Sequence, residues 1–158
     1  MGLRELQKEL KQIEKKEIIN MVSELYKSVP MAKEYLDVFA TGNIKQLIDK
    51  YKFEIEEYIY PHGRNMVLRE REARKLIRII RKMKIPELTV TLELHYVYCC
   101  LDIIDDFGYW DEPYYTAVAN MFYSATKGIK KNGFERKFKK LINNLVSKSY
   151  EFGLDFEN

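Results

Sequence analysis

The stretch PELTVTLELHYVYCCLDIIDD, residues 86–106, determines whether the chain is entirely helical or contains a sheet. Its first half, residues 89–98, alternates in polarity and is rich in β-branched residues, as strands are. The apolar run nevertheless continues through Ile104, which is too long for an ordinary strand, and the sequence offers no second segment to pair with it. Its apolar residues surround a helical axis. We therefore predict a central buried helix.

Working outward, residues 69–84 (REREARKLIRIIRKMK) form the clearest amphipathic pattern in the sequence. At 100° per residue, one side is apolar and the other is basic. The predicted apolar side comprises Ala73, Leu76, Ile77, Ile79, Ile80 and Met83, and the predicted charged side comprises Arg71, Arg74, Lys75, Arg78, Arg81 and Lys82.

The remaining segments between proline and glycine residues also have helical periodicity, which predicts an all-α fold of about eight helices. We expect one domain over residues 1–158, with an N-terminal helix pair at 1–29 and helical hairpins at 30–60, 68–107 and 112–153. The hairpins recur roughly every 40 residues, near the period of HEAT-type repeats. The pattern fits either an irregular bundle or a short HEAT-like α-α superhelix.

Composition favours a globular protein. Of 158 residues, 46% are hydrophobic and 32% are charged, which argues against disorder. The two cysteines, Cys99 and Cys100, are adjacent within the apolar run, so we expect them in the core rather than in a disulfide. Residues 1–16 alternate basic and acidic side chains without the apolar region of a signal peptide, and no stretch reaches membrane-spanning length. These features predict a cytoplasmic protein without membrane association.

Charge is distributed unevenly around the central segment. Residues 64–84 carry nine basic and two acidic side chains, whereas residues 85–112 carry seven acidic side chains and no Lys or Arg. If the two segments form one antiparallel hairpin, Asp102, Asp105 and Asp106 would lie beside basic residues of the preceding helix. We expect their partners to be Arg64, Arg69 and Arg71.

Several segments of the chain resemble a family of small, all-helical bacterial proteins classed as a domain of unknown function. The most distinctive is Asp106-Phe107-Gly108-x-x-Asp111-Glu112-Pro113-Tyr114-Tyr115. The others are Leu6-x-x-x-Leu10-x-x-Ile13, residues 18–26, Tyr35-Leu36 and Ala73-Arg74-Lys75-Leu76-Ile77. The resemblance implies a helical bacterial protein. It implies no activity and no functional residues.

No catalytic or cofactor-binding motif occurs in the sequence. A Gly-rich phosphate loop and a Gly-x-Ser-x-Gly nucleophile motif are both absent, and Asp106-Phe107-Gly108 lacks the other kinase motifs. The acidic cluster at 102–112, with His95 on the same face of the predicted helix, could bind a divalent metal, although its spacing matches no metal motif. We therefore expect no cofactor and lean against an enzyme, and we retain a metal-dependent enzyme as a third hypothesis.

Two surface hypotheses remain. The first is a non-catalytic helical interaction module that binds a protein partner or a second copy, with exposed Tyr109, Trp110 and Tyr114 as a candidate patch. The alternative is nucleic-acid binding through the basic faces near residues 69–84 and 134–148, because rows of Lys and Arg neutralise phosphates. The candidate surface for a nucleic acid or a partner comprises Arg74, Arg78, Arg81, Lys82, Trp110 and Tyr114.

Overall fold

A computed structural model describes residues 1–61, 68–108 and 111–156. These residues form eight α-helices and no strand, which confirms the all-α prediction. The helices are α1 (Leu3–Leu10), α2 (Lys15–Ser28), α3 (Pro30–Thr41), α4 (Lys45–Ile59), α5 (Glu70–Arg81), α6 (Pro86–Phe107), α7 (Glu112–Asn132) and α8 (Glu135–Glu151).

The chain divides into two compact units, Met1–Ile44 and Lys45–Asn158. The boundary falls inside the segment 30–60 that the sequence analysis assigned to one hairpin, because α3 belongs to the first unit and α4 to the second. The organisation as a single domain remains a prediction.

The second unit is built around α6. Helices α4, α5, α7 and α8 all pack against it, and twelve of its residues are buried. The predicted central buried helix is confirmed, and the arrangement of four helices around a fifth is that of a bundle. Both cysteines lie in this core, as the sequence predicted.

Local sequence sets where the long helices of this unit begin and end. Asp111 caps α7, because its carboxylate accepts a hydrogen bond from the backbone N–H of Tyr114 at 2.9 Å. Gly133 ends α7 with a φ of 69°, a left-handed conformation that glycine adopts without strain.

Past α8, Phe156 is buried and its ring stacks on that of Phe122, with 4.5 Å between centroids.

Helices α6 and α7 approach each other closely at Gly128. A Cβ atom added there would lie 3.0 Å from Cγ2 of Val90, closer than side chains normally tolerate. The missing side chain therefore allows the end of α7 to pack directly against the first turns of α6.

The apolar side of α5 is narrower than predicted. Ala73, Ile77 and Ile80 are buried, as is Met83 just beyond the helix, but Ile79 is 42% exposed. Its predicted place in the core is wrong, because the neighbouring helices cover only a narrow stripe of α5 that does not reach Ile79.

The first unit has no core of its own. None of the residues of α1, α2 or α3 is buried. Helices α2 and α3 pack together and are joined by polar contacts: the Tyr26 hydroxyl donates to Asp37 at 2.9 Å, and Lys33 pairs with the same carboxylate at 2.6 Å.

Candidate functional site

The basic side chains predicted to form one exposed row on α5 fall into two groups. Some pair with carboxylates of the core, and the others remain exposed. The guanidinium of Arg81 lies 2.7 Å from Oε1 of Glu93 on α6, a carboxylate that is 3% exposed. Ser124 on α7 completes the network: its hydroxyl donates to the same oxygen at 2.9 Å and accepts from Arg81 at 3.2 Å. Burial raises the pKa of Glu93, while Arg81 opposes that shift. Arg81 therefore has a structural partner.

Arg74 is held in a similar way. It donates to Oε2 of the buried Glu70 at 3.2 Å, and the buried Tyr96 hydroxyl donates to the other oxygen of that carboxylate. Burial raises the pKa of Tyr96, so its hydroxyl stays protonated and acts as the donor. The expectation of one fully exposed row holds for Arg78 and Lys82, and is wrong for Arg74 and Arg81, which are only partly exposed.

The candidate aromatic patch also needs correction. Tyr114 is 6% exposed, and its hydroxyl donates to the backbone oxygen of Cys100 at 2.8 Å. Its predicted exposure is wrong, because the Asp111 cap starts α7 in a register that turns Tyr114 towards α6. Tyr109 and Trp110 lie outside the described residues.

The aspartates at the end of α6 have partners other than the arginines that we predicted. Asp102 pairs with Lys148 of α8, whose Nζ is also 3.8 Å from Asp105, and Asp106 accepts a hydrogen bond from Tyr60. Arg69 instead lies over the ring of Tyr58 at 5.1 Å. Arg64 is outside the described residues. The prediction is wrong for Arg69 and Arg71, because α8 packs against α6 and carries Lys148 to this end.

A histidine and a cysteine meet on the same face of α6. Nε2 of His95 lies 2.8 Å from Oε1 of Glu56 and 3.6 Å from Sγ of Cys99. Both neighbours therefore approach one nitrogen, whereas a nucleophilic pair needs the acid on the other ring nitrogen. Burial lowers the pKa of His95 and raises the pKa of Cys99 to about 12, so the thiol is protonated and unreactive at neutral pH.

Within the described ranges, no group of three or more His, Cys, Asp or Glu side chains has an arrangement that could hold a metal ion. Three acidic residues of the 102–112 segment have separate roles: Asp102 forms an ion pair, Asp106 accepts from a tyrosine and Asp111 caps a helix. This distribution gives the metal hypothesis no geometric support.

A basic cavity of about 360 Å³ lies where the α5–α6 connection meets the end of α7. We call it the lysine pocket. It is lined by Arg81, Lys84, Pro86, Thr89, Lys127 and Lys131, among others. The sequence places these lysines among the basic segments considered for nucleic-acid binding, but it did not predict that they meet in one cavity. The signal available was the spacing of Lys127 and Lys131, which places them on one face of α7.

The first unit presents the second notable surface. Large hydrophobic side chains that are exposed number sixteen in the described chain, and eleven of them lie within residues 1–44. We call this set the N-terminal apolar surface. It comprises Met1, Leu3, Leu6, Ile19, Met21, Val22, Leu25, Tyr26, Val29, Tyr35 and Phe39.

No family model, curated protein or solved structure matches the chain. The resemblance noted in the sequence is therefore not supported by these comparisons, and the functional argument depends on the geometry. Among the residues that the structure describes, no helix is both long enough and apolar enough to span a bilayer.

Proposed function

We propose that the protein is a helical interaction module that self-associates through the N-terminal apolar surface. One observation carries this proposal: residues 1–44 contain most of the exposed large hydrophobic side chains of the described chain, and their three helices contain no buried residue. A concentration of exposed apolar side chains of this kind marks an interaction site in soluble proteins.

The energetics of the first unit support the same conclusion. Ordering a residue costs about 1–2 kcal/mol of backbone entropy, which burial of apolar surface normally offsets at about 25 cal/mol per Å². Its helix pair α2–α3 instead has the exposed polar contacts of Asp37 with Tyr26 and Lys33, and such exposed contacts contribute little to stability because solvent screens them. A partner that covers the apolar stripes would supply the missing stabilisation.

Charge favours a second copy as that partner. Residues 1–44 carry seven basic and seven acidic side chains, so the unit has no net charge. On α1 the signs alternate along the sequence, with Arg4, Glu5, Lys8 and Glu9 all exposed. Two copies can therefore approach without net like-charge repulsion. A strongly charged partner would gain little from this surface.

The test compares two charge insertions on α2 in the full-length chain. Leu25 is 49% exposed and belongs to the apolar surface, whereas Asn20 is an exposed polar residue on the same helix. We expect sedimentation equilibrium to show a concentration-dependent dimer for the wild type and for N20E, and a monomer for L25E. Far-UV circular dichroism should show wild-type helix content for N20E, and for L25E a loss no larger than the helices of the first unit, since the partner stabilises that unit. A wild-type monomer at all concentrations, or equal dimerisation of both variants, would contradict the proposal.

Nucleic-acid binding remains the alternative hypothesis. It rests on Arg78 and Lys82 of α5 and on the exposed basic side chains Arg136, Lys139 and Lys140 of α8. Because Arg74 and Arg81 are paired with buried carboxylates, the surface available to a nucleic acid is smaller than the sequence suggested.

A further inference from the structure

The lysine pocket concentrates positive charge that other side chains leave unbalanced. Lys84, Lys127 and Lys131 are all exposed, and none of them forms an ion pair with a residue in the described ranges. The fourth cation, Arg81, is paired with Glu93, so the two together contribute no net charge to the cavity. The three lysines therefore give the cavity a formal charge of about +3.

Two of these lysines share one face of a helix, and the third has an unusual backbone conformation. Lys127 and Lys131 are four residues apart on α7, so their charges repel each other, although Lys131 lies in the last turn, where the helix dipole favours a cation. Lys84 has a φ of 57°, and it is the one residue other than glycine in the described chain with a positive φ. A lysine there is more strained than a glycine would be, and such strain is typical of functional positions.

The pocket is also fixed in shape by packing. The close approach at Gly128 and Val90 sets the end of α7 against the start of α6, and the Arg81–Glu93–Ser124 network joins three helices beside the cavity. A site held by packed helices is preorganised, so binding loses little affinity to ordering of the backbone.

Size and lining restrict the ligand. A volume of about 360 Å³ suits a small molecule, near the lower end of known ligand pockets. No aromatic side chain in the described residues lines it, so it offers no surface there on which a nucleic-acid base could stack. A phosphate group carries about −1.5 to −2 near pH 7, so two adjacent phosphates would balance three lysines.

From these observations we propose that the lysine pocket binds a small ligand that contains a diphosphate group. This inference is independent of self-association, because every residue involved lies in the second unit. The diphosphate could belong to free pyrophosphate or to a nucleoside diphosphate, and the experiment separates these two sources.

Isothermal titration calorimetry at low salt should detect binding of inorganic pyrophosphate to the full-length wild-type protein. In K127Q/K131Q we expect affinity to fall at least tenfold, because two charge-assisted hydrogen bonds are removed. The matched control is R136Q/K140Q, which removes two exposed cations with the same four-residue spacing on α8 and should change affinity less than twofold. Titration with ADP then distinguishes the sources: tighter binding than pyrophosphate indicates a nucleotide, and equal or weaker binding indicates pyrophosphate itself.

The variant K84G distinguishes a loss of ligand affinity from a loss of folding stability. Glycine accepts a φ of 57° without strain, so this variant should unfold at the same temperature as the wild type or higher, yet bind pyrophosphate about tenfold more weakly. Absence of pyrophosphate binding by the wild type, or equal weakening in K127Q/K131Q and R136Q/K140Q, would overturn the proposal. So would an oligonucleotide that binds these lysines in preference to pyrophosphate and ADP, because that outcome would assign the pocket to nucleic acid.

Discussion

Arg81 of α5 forms an ion pair of 2.7 Å with Glu93 of α6, and the Glu93 side chain is almost fully buried while the Arg81 side chain is 38% exposed. The pair joins the helix that the sequence marks as amphipathic to the helix that forms the core. Because the pair joins two helices through a buried charge, we expect the loss of folding stability to depend on which of the two residues is replaced.

We expect R81M to lower the free energy of unfolding by about 2–3 kcal/mol, somewhat less than the 3–5 kcal/mol of a fully buried pair, because solvent reaches part of Arg81. The double variant R81M/E93L should be destabilised less than R81M alone, since no buried carboxylate is left unpaired. Urea denaturation of the four proteins in this double-mutant cycle measures the difference. A double variant as unstable as R81M would show that the pair itself, and not the orphaned charge, provides the stability.

Glu93 should also make stability depend on pH. Its pKa is raised by burial above the ordinary glutamate value of 4.5, so the folded state binds more protons than the unfolded state between those two pKa values. The unfolding free energy should therefore fall as pH rises through that window. E93Q should remove this dependence, which thermal unfolding at several pH values would detect. An identical pH profile for E93Q would contradict the assignment.

His95 should make folding stability depend on pH in the opposite direction to Glu93. Burial lowers its pKa below the ordinary histidine value of 6.5, so between the folded pKa and 6.5 the unfolded state binds more protons. Stability should fall as pH decreases from 6.5 to the folded pKa and then level off, and H95Q should be less sensitive in that range. NMR titration of the two histidine ring signals measures the pKa directly. A His95 pKa at or above 6.5 would exclude this effect.

G128A tests the contact between α6 and α7. Alanine favours the helix by about 1 kcal/mol, but its Cβ would press on Val90 at a cost of about 1–3 kcal/mol. We expect a net destabilisation of about 1 kcal/mol in the wild-type background. In V90A, where the obstructing methyl groups are absent, the same change should be stabilising. Equal effects in the two backgrounds would show that the helices shift to make room.

The nucleic-acid hypothesis predicts that only some basic residues of α5 contribute to binding. If this surface binds nucleic acid, R78Q/K82Q should reduce the slope of log affinity against log salt by about 2, roughly one for each phosphate that is no longer neutralised. Lys75 pairs with Glu72 at 2.8 Å on the same helix, so K75Q serves as a control that should leave the slope nearly unchanged. Fluorescence anisotropy with a labelled oligonucleotide measures these slopes. An unchanged slope in R78Q/K82Q would remove α5 from consideration.

Sequence patterns predicted the helices well because helix signals are local. Residues 89–98 resemble a strand by periodicity, yet the length of the apolar run and the lack of a pairing segment identified α6 correctly. The partners of charged residues could not be predicted in the same way. Periodicity places Arg81 on a polar face, but its pairing with Glu93 depends on how α5 crosses α6, and the pairing of Asp102 with Lys148 depends on where α8 lies.

The lysine pocket could not be predicted from the sequence for the same reason. Its cations come from the α5–α6 connection and from the end of α7, more than 40 residues apart in sequence. They meet because Gly128 lets two helices approach closely, and a single glycine inside a helical pattern carries no sign of what it faces.

The central position of α6 has a consequence for synthesis of the chain. Helices α4 and α5 are translated before α6, yet both pack against this helix, which ends only at Phe107. At about 5–20 residues per second, the ribosome needs several seconds to add the residues between Ile59 and Phe107. Through that interval Ile55 and Ile59 lack the helix that covers them, so a pause within the codons for α6 should promote chaperone binding and aggregation more than a pause within those for α8.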